Sequence, residues 1–231
     1  KGRLFVTPDA DDPDRATLDA ATTRHLRALC LVPGDAVCAI VGPGIERAAT
    51  VLALVRDHAV LSLHEELPRH ERDPAQPRVL ALALGDLARM DLVVEKATEL
   101  GVTAIQPFVA ARSQSRSLAR ARCDRWERIA RAACEQCGRT VVPEVRACLS
   151  FDALVASLER DAVAWLLQPE TDQTVAVAAA PAPPGRTAAR SVAAAGALTI
   201  VVGPEGGLEP TESARLVVAG GGGPRGGPPP A

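Results

Sequence analysis

The sequence predicts a two-domain α/β protein, with a small β-barrel over residues 1–70 and a mostly parallel α/β domain over 77–231. Three observations carry that reading. Short apolar runs broken by turns fill the first part, a strand, helix, strand rhythm fills the second, and the polar, proline-rich stretch from Pro68 to Pro77 lies between them. A length of 231 residues also exceeds the usual single-domain size.

In the first part, strands are expected at Leu4–Val6, Ala36–Val41, Arg47–Val55 and Ala59–Leu63, punctuated by Pro33-Gly34-Asp35, Gly42-Pro43-Gly44 and Arg56-Asp57-His58. The second part opens with Arg78–Leu84, a continuous apolar run suited to a strand buried on both faces, and Asp86 can cap the helix that follows. Met90, Val93, Val94, Ala97 and Leu100 fall on one face of that helix, and Gly101 stands where a left-handed cap is wanted. Val102–Val109 returns as a strand. A helix over about Leu118–Cys137 places Trp126, Ile129, Ala130, Ala133, Cys134 and Cys137 on one stripe and ends at Gly138. Val141–Val145 reads as a short strand, Ser150 as the cap of a helix to Arg160, and Ala162–Leu167 as another buried strand. Thr171–Gly196, rich in Ala, Pro and Gly, reads as a connection, Leu198–Val202 as the last strand, and Pro210 as the first residue of a final helix.

Composition narrows function. With no Tyr, three Phe and two Trp, a platform of aromatic side chains for stacking bases is not expected. The formal charge of −2 gives no global attraction to nucleic acid, so any such contact must come from local patches. Lys1 and Lys96 are the only lysines, which leaves nearly all positive charge on arginine, either a coding bias or a recognition preference. No secretory segment or membrane-spanning run is evident, so a cytoplasmic protein with reduced thiols is expected. Its first residue is Lys1 rather than Met, so the true N-terminus is expected to be missing.

In a parallel sheet, ligands sit beyond the carboxyl ends of the strands. Leu167, Gln168 and Pro169 end one strand, and Gly203, Pro204, Glu205, Gly206 and Gly207 end another, so the two define one crevice with bare backbone on its floor, or else a plain tight turn. A dinucleotide loop fits worse, because the first α/β strand is followed by Leu84-Gly85-Asp86. Cys134 and Cys137 lie on an apolar stripe with no second Cys or His pair at ligand spacing, so core packing is expected and no metal. All four His (25, 58, 64 and 70) precede the α/β domain, which argues against a histidine triad there. Arginines crowd the stretch from Arg112 to Arg139, either a solvated face or a phosphate-tracking patch, with Arg112 and Arg139 placed to reach the crevice.

These motifs form an ordered series: Arg3-Leu-Phe-Val6, His25 to Asp35, Lys96-Ala-Thr-Glu-Leu-Gly-Val102, Arg112-Ser113, Glu135-Gln-Cys-Gly-Arg139, and Gly203-Pro-Glu-Gly-Gly207 with Glu212. The series resembles the 16S ribosomal RNA uracil-N3 methyltransferase family. The resemblance implies a PUA-like RNA-binding barrel and a trefoil-knotted, SPOUT-type methyltransferase domain. It further implies S-adenosylmethionine as cofactor, a homodimer, no metal or membrane, and the small ribosomal subunit as substrate. Carried onto this chain, it assigns cofactor binding to Leu167, Gln168, Pro169, Gly203, Pro204, Glu205 and Gly206, catalysis to Arg139 and Glu205, and RNA contacts to Arg3, Arg27, Arg112, Arg116 and Arg139.

Two departures stand out. Cys30 occupies a position where the family usually has Arg. Beyond Val218 the family continues through a strand and a Leu-Gly-x-Arg-x-Leu-Arg-x-Glu-Thr-Ala segment, whereas here Gly220–Ala231 is almost entirely Gly and Pro, a composition that cannot pack as a helix, so the knot element is expected to be incomplete. A frameshifted or truncated copy would have such a tail. The alternative reading is a catalytically inactive RNA-binding remnant; a nucleotide-binding α/β protein of another kind lacks its glycine loop.

Overall fold

The computed structural model describes residues 2–68, 73–117, 120–158, 164–167, 177–178 and 197–219. The chain is a mixed α/β protein that divides into two compact units, Lys1–Asp73 with Ala132–Val142, and Pro74–Arg131 with Pro143–Ala231. The second stretch of the first unit was not foreseen as part of it. Asp73 accounts for that membership, since its carboxylate accepts from Arg139 Nε (3.1 Å), Thr140 N (2.9 Å), Thr140 Oγ1 (2.6 Å) and Val141 N (3.3 Å).

The first unit holds a five-stranded sheet in the order β1-β3-β4-β5-β2. Its strands are β1 (Arg3–Phe5), β2 (Arg15–Leu18), β3 (Ala36–Gly42), β4 (Ile45–Leu54) and β5 (Ala59–Glu66). Pairing is antiparallel except between β1 and β3, and register shifts within β3/β4 and β4/β5 let the sheet curl. Leu4, Leu18, Leu26, Val51 and Leu61 lie in one buried cluster. Two elements escaped the sequence reading, β2 and the helix α1 (Ala20–Ala28). α1 is short and carries only Thr23 and Leu26 inward, too little apolar periodicity to register, although Asp19 caps it by accepting from Thr22 N at 2.7 Å. It ends on Cys30 at φ 57, a left-handed conformation that a side chain adopts at some cost.

The second unit holds a seven-stranded sheet: β6 (Arg78–Ala83), β7 (Ala104–Val109), β8 (Glu144–Val145), β9 (Leu149–Ser150), β10 (Ala164–Leu167), β11 (Val177–Ala178) and β12 (Leu198–Val202). The order is β11-β10-β12-β6-β7-β8, with β9 also on β7, and every pairing is parallel except β10 with β11. Helices α2 (Leu87–Glu99), α3 (Arg120–Cys137), α4 (Phe151–Leu158) and α5 (Pro210–Ala219) accompany it. The predicted caps are in place: Asp86 accepts from Ala88 N at 2.8 Å, Ser150 Oγ accepts from Ala153 N at 3.2 Å, and Gly101 and Gly138 adopt φ 90 and 89. Leu100, expected on the buried face of α2, is 79% exposed, because the helix has already ended and the chain turns at Gly101; Thr98 takes the inward place. Of the expected connection 171–196, Val177–Ala178 pairs with β10, and the rest lies outside the described residues, as does the tail 220–231.

Candidate functional site

The carboxyl ends of β10, β12, β6 and β7 lie side by side, with Leu167 opposite Val202, Val202 opposite Leu82, and Leu82 opposite Pro107. Parallel pairing forces this: each strand re-enters the sheet from the same edge, so the loops that leave them gather at the other. The crevice expected between the ends of β10 and β12 therefore has both its strand termini as neighbours. Leu167 is exposed there, while Gln168 and Pro169 lie outside the described residues.

The loop after β12 is a tight turn in which Gly207 N donates to Pro204 O at 2.8 Å and Gly207 adopts φ 70. Pro204 is buried, whereas Glu205 and Gly206 are exposed. A side chain at Gly203 would be crowded: an added Cβ would stand 3.0 Å from Leu208 Cγ and 3.3 Å from Leu208 N, so Leu208 would have to give by a few tenths of an ångström.

Three cross-ties hold this turn against its neighbours. The Glu205 carboxylate accepts from Asp86 N at 3.0 Å, in the loop after β6. Arg112 Nη1, in the loop after β7, donates to Gly206 O at 2.8 Å. Glu212, buried in the first turn of α5, accepts from Ala111 N at 2.8 Å with one oxygen and from Glu209 N at 3.0 Å with the other. The second contact is the return half of a capping box, since Ser213 N bonds Glu209 O and Glu212 sits three residues on. Glu212 is thus a positioning residue to which the sequence motifs assign no role, although its spacing from Glu209 around Pro210 signals one. Arg116 completes the scaffold by donating to Ala110 O (3.2 Å) and Ala111 O (3.0 Å).

Electrostatics bear on the two expected catalytic residues. The hydrogen bond from Asp86 N holds the Glu205 carboxyl below its ordinary pKa, which makes it a weak base and a good anionic clamp. Arg139, expected to reach the crevice, is 2% exposed in the first unit with Asp73 as a partner. Burial would raise the Asp73 pKa, but the Thr140 hydroxyl and N–H and the Arg139 guanidinium together lower it. Arg3, expected to meet RNA, has its guanidinium on the buried Glu46 carboxylate through Nη1 (3.1 Å) and Nη2. Arg27 stays exposed in the last turn of α1. Burial pushes the Cys134 thiol up to about 12, and among the described residues no group of His, Cys, Asp or Glu is placed to hold a metal. No described helix is long and apolar enough to cross a membrane.

Among the described residues, the loops after β6, β7 and β12 are thus tied to one another around the exposed backbone of Gly206. Residues 72–221 match the model of the RNA methyltransferase domain, and the chain belongs to that family. Within it, the chain is 33% identical over 210 residues to the ribosomal RNA small subunit methyltransferase E of Mycobacterium bovis, covering 87% of this chain and 72% of that protein. It is 29% identical over 187 residues to the protein of the same name from Bacillus subtilis, covering 79% and 70%. The fold is similar to the crystal structure of a ribosomal RNA small subunit methyltransferase E from Neisseria gonorrhoeae bound to S-adenosyl methionine, with a TM-score of 0.76, 24% identity, and coverage of 95% of this chain and 86% of that one.

Proposed function

We propose that this chain transfers the methyl group of S-adenosylmethionine to N3 of a uridine in 16S ribosomal RNA of the small subunit, acting in the cytoplasm as a homodimer with a PUA-like first domain and a knotted second one. The observation that carries the reading is the cross-tied turn Gly203–Gly207 beside Leu167, with Gly206 held by Arg112 and Glu205 by Asp86. Family membership and the names of the relatives support the reaction class.

The residues suit such a cofactor. The partly exposed backbone of Gly203 and the exposed backbone of Gly206, whose carbonyl Arg112 holds, supply small, directional polar groups of the kind adenine and ribose require, and Leu167 with Leu208 offers apolar wall. Leu167, Gln168, Pro169, Gly203, Pro204, Glu205 and Gly206 would hold it. The bound sulfonium supplies an already electrophilic methyl group. What remains for the protein is alignment and removal of the N3 proton. Alignment falls to the loop cross-ties, which fix the backbone before substrate arrives. Glu205 contributes as a clamp, and Arg139, through Asp73, sets the turn at 138–141. Arg27, exposed on α1, serves the RNA.

Calorimetry with S-adenosylmethionine on the full chain, followed by nucleoside analysis of small subunits incubated with both, tests the proposal. Micromolar binding and appearance of N3-methyluridine are expected. Absence of both would favour the inactive RNA-binding remnant that the Gly/Pro sequence 220–231 brings to mind.

A further inference from the structure

We infer that a groove between the first turn of α2 and the N-terminal half of α3 in the second unit is a seat for RNA backbone phosphates, separate from the crevice; the inference rests on the chain acting on RNA. The groove encloses ≈ 770 Å³ and is lined by Asp91, Ser115, Ser117, Arg122, Arg125 and Arg128 among others. Three arginines face one carboxylate there, so the lining is net positive on a chain whose formal charge is −2.

Of the five arginines that the resemblance assigns to RNA, four are spent elsewhere. Arg3 holds Glu46, Arg112 holds Gly206 O, Arg116 holds two carbonyls and Arg139 holds Asp73. In the groove the arrangement is different. Asp91, 17% exposed, accepts from Arg125 Nε (2.8 Å), Arg122 Nη1 (3.5 Å) and Trp126 Nε1 (2.9 Å). One aspartate thus orients two guanidinium groups while using a single donor of each, and the remaining donors form the fork that suits a phosphate. Arg128 is exposed and has no ion pair among the described residues. Arg120, at the start of α3, draws off Asp124 (2.9 Å) and Glu127 (4.0 Å), the helix's nearest carboxylates. Ser117 adds a hydroxyl to the lining, while the Ser115 hydroxyl donates to Ser117 O at 2.7 Å.

Dimensions agree with a polymer rather than a single anion. From Arg122 to Arg128 the helix rises about 9 Å, and a nucleic-acid strand advances about 3.4 Å per nucleotide, so the stripe matches on the order of two or three successive phosphates.

The test measures anisotropy of fluorescein-labelled 15-nucleotide oligouridine and oligoadenosine with the full chain between 50 and 300 mM salt, about the range where counterion release dominates. For the double variant Arg125→Gln/Arg128→Gln the slope of log affinity against log salt should fall by about 1.4, at about 0.7 per single-strand phosphate, equally for both oligonucleotides, with S-adenosylmethionine binding unchanged. Arg128→Glu alone, at a position with no packing role, should lower the slope by about 0.7 or more. An unchanged slope in both variants overturns the groove, even where cofactor binding and methylation persist. Lack of RNA binding by the wild type at low salt overturns it too. Lack of cofactor binding with the slope difference intact would instead refute the methyltransferase reading alone.

Discussion

Asp73→Ala should destabilise the first unit strongly without touching core hydrocarbon. The Asp73 carboxylate accepts four hydrogen bonds, from Arg139 Nε, the Thr140 N–H and hydroxyl, and Val141 N, and Arg139 is 2% exposed. Breaking a buried ion pair by removing one partner costs about 3–5 kcal/mol. Asp73 keeps 20% of its side chain exposed, so the lower end applies, about 3 kcal/mol. For a chain of this size that lowers Tm by about 6–12 °C. The pH dependence follows from the direction of the shift. The folded-state pKa of Asp73 lies below the ordinary carboxylate value, so its contribution is complete above that value and disappears as pH falls through the lowered one. Urea denaturation of wild type and variant should therefore differ by about 3 kcal/mol at neutral pH, and the gap should narrow below about pH 4. A neutral-pH difference under about 1 kcal/mol, or a gap that stays constant into acid, would refute the assignment of Asp73 as the anchor of residues 139–141.

Gly203→Ala should weaken S-adenosylmethionine binding about tenfold, or about 1.4 kcal/mol, because the new Cβ meets Leu208 and displaces the turn; calorimetry reads it, and unaltered affinity would argue against a cofactor at this backbone. Glu205→Gln tests clamp against base: loss of the anionic bond to Asp86 N should raise the cofactor KM and leave kcat nearly intact, whereas a base would lose about 10²–10⁴ in kcat. Because the Glu205 pKa is lowered, the clamp is complete at neutral pH and is lost only as pH drops through that lowered value, so the wild-type cofactor KM should hold steady down to the ordinary carboxylate range and rise below it. Among the thiols, iodoacetamide at pH 8 should alkylate exposed Cys30 well before Cys134 and Cys38, whose pKa values burial raises to about 12 and about 11; mass mapping with equal labelling would contradict the buried positions.

Helix and strand order in the second unit was legible in the sequence, because local chemistry dictates it. Asp86, Ser150 and Pro210 start helices where predicted, and Gly101 and Gly138 end them, since caps and left-handed turns depend on neighbours a few residues away. The glycine turn after β12 was legible for the same reason. Weakly patterned α1 and the two-residue strands were not, as they owe their existence to packing and to edges offered by other strands. Arginine roles were the least legible. Arg3, Arg112, Arg116 and Arg139 carry the same charge in sequence as Arg122, Arg125 and Arg128, and only the fold puts Glu46, Gly206, Ala110 and Asp73 beside the former.

Alone, then, the order of residues determined the alternation of elements and the bare backbone at the end of β12, because those follow from periodicity and from which dihedrals a residue can adopt. Tertiary structure decided which side chains are clamps and which remain available to a ligand. Glu205 reaches Asp86 across 119 positions, and Glu212 reaches Ala111 across 101. Partners so far apart in the chain meet only when parallel strands bring their carboxyl ends to a common edge, and no local pattern records that meeting.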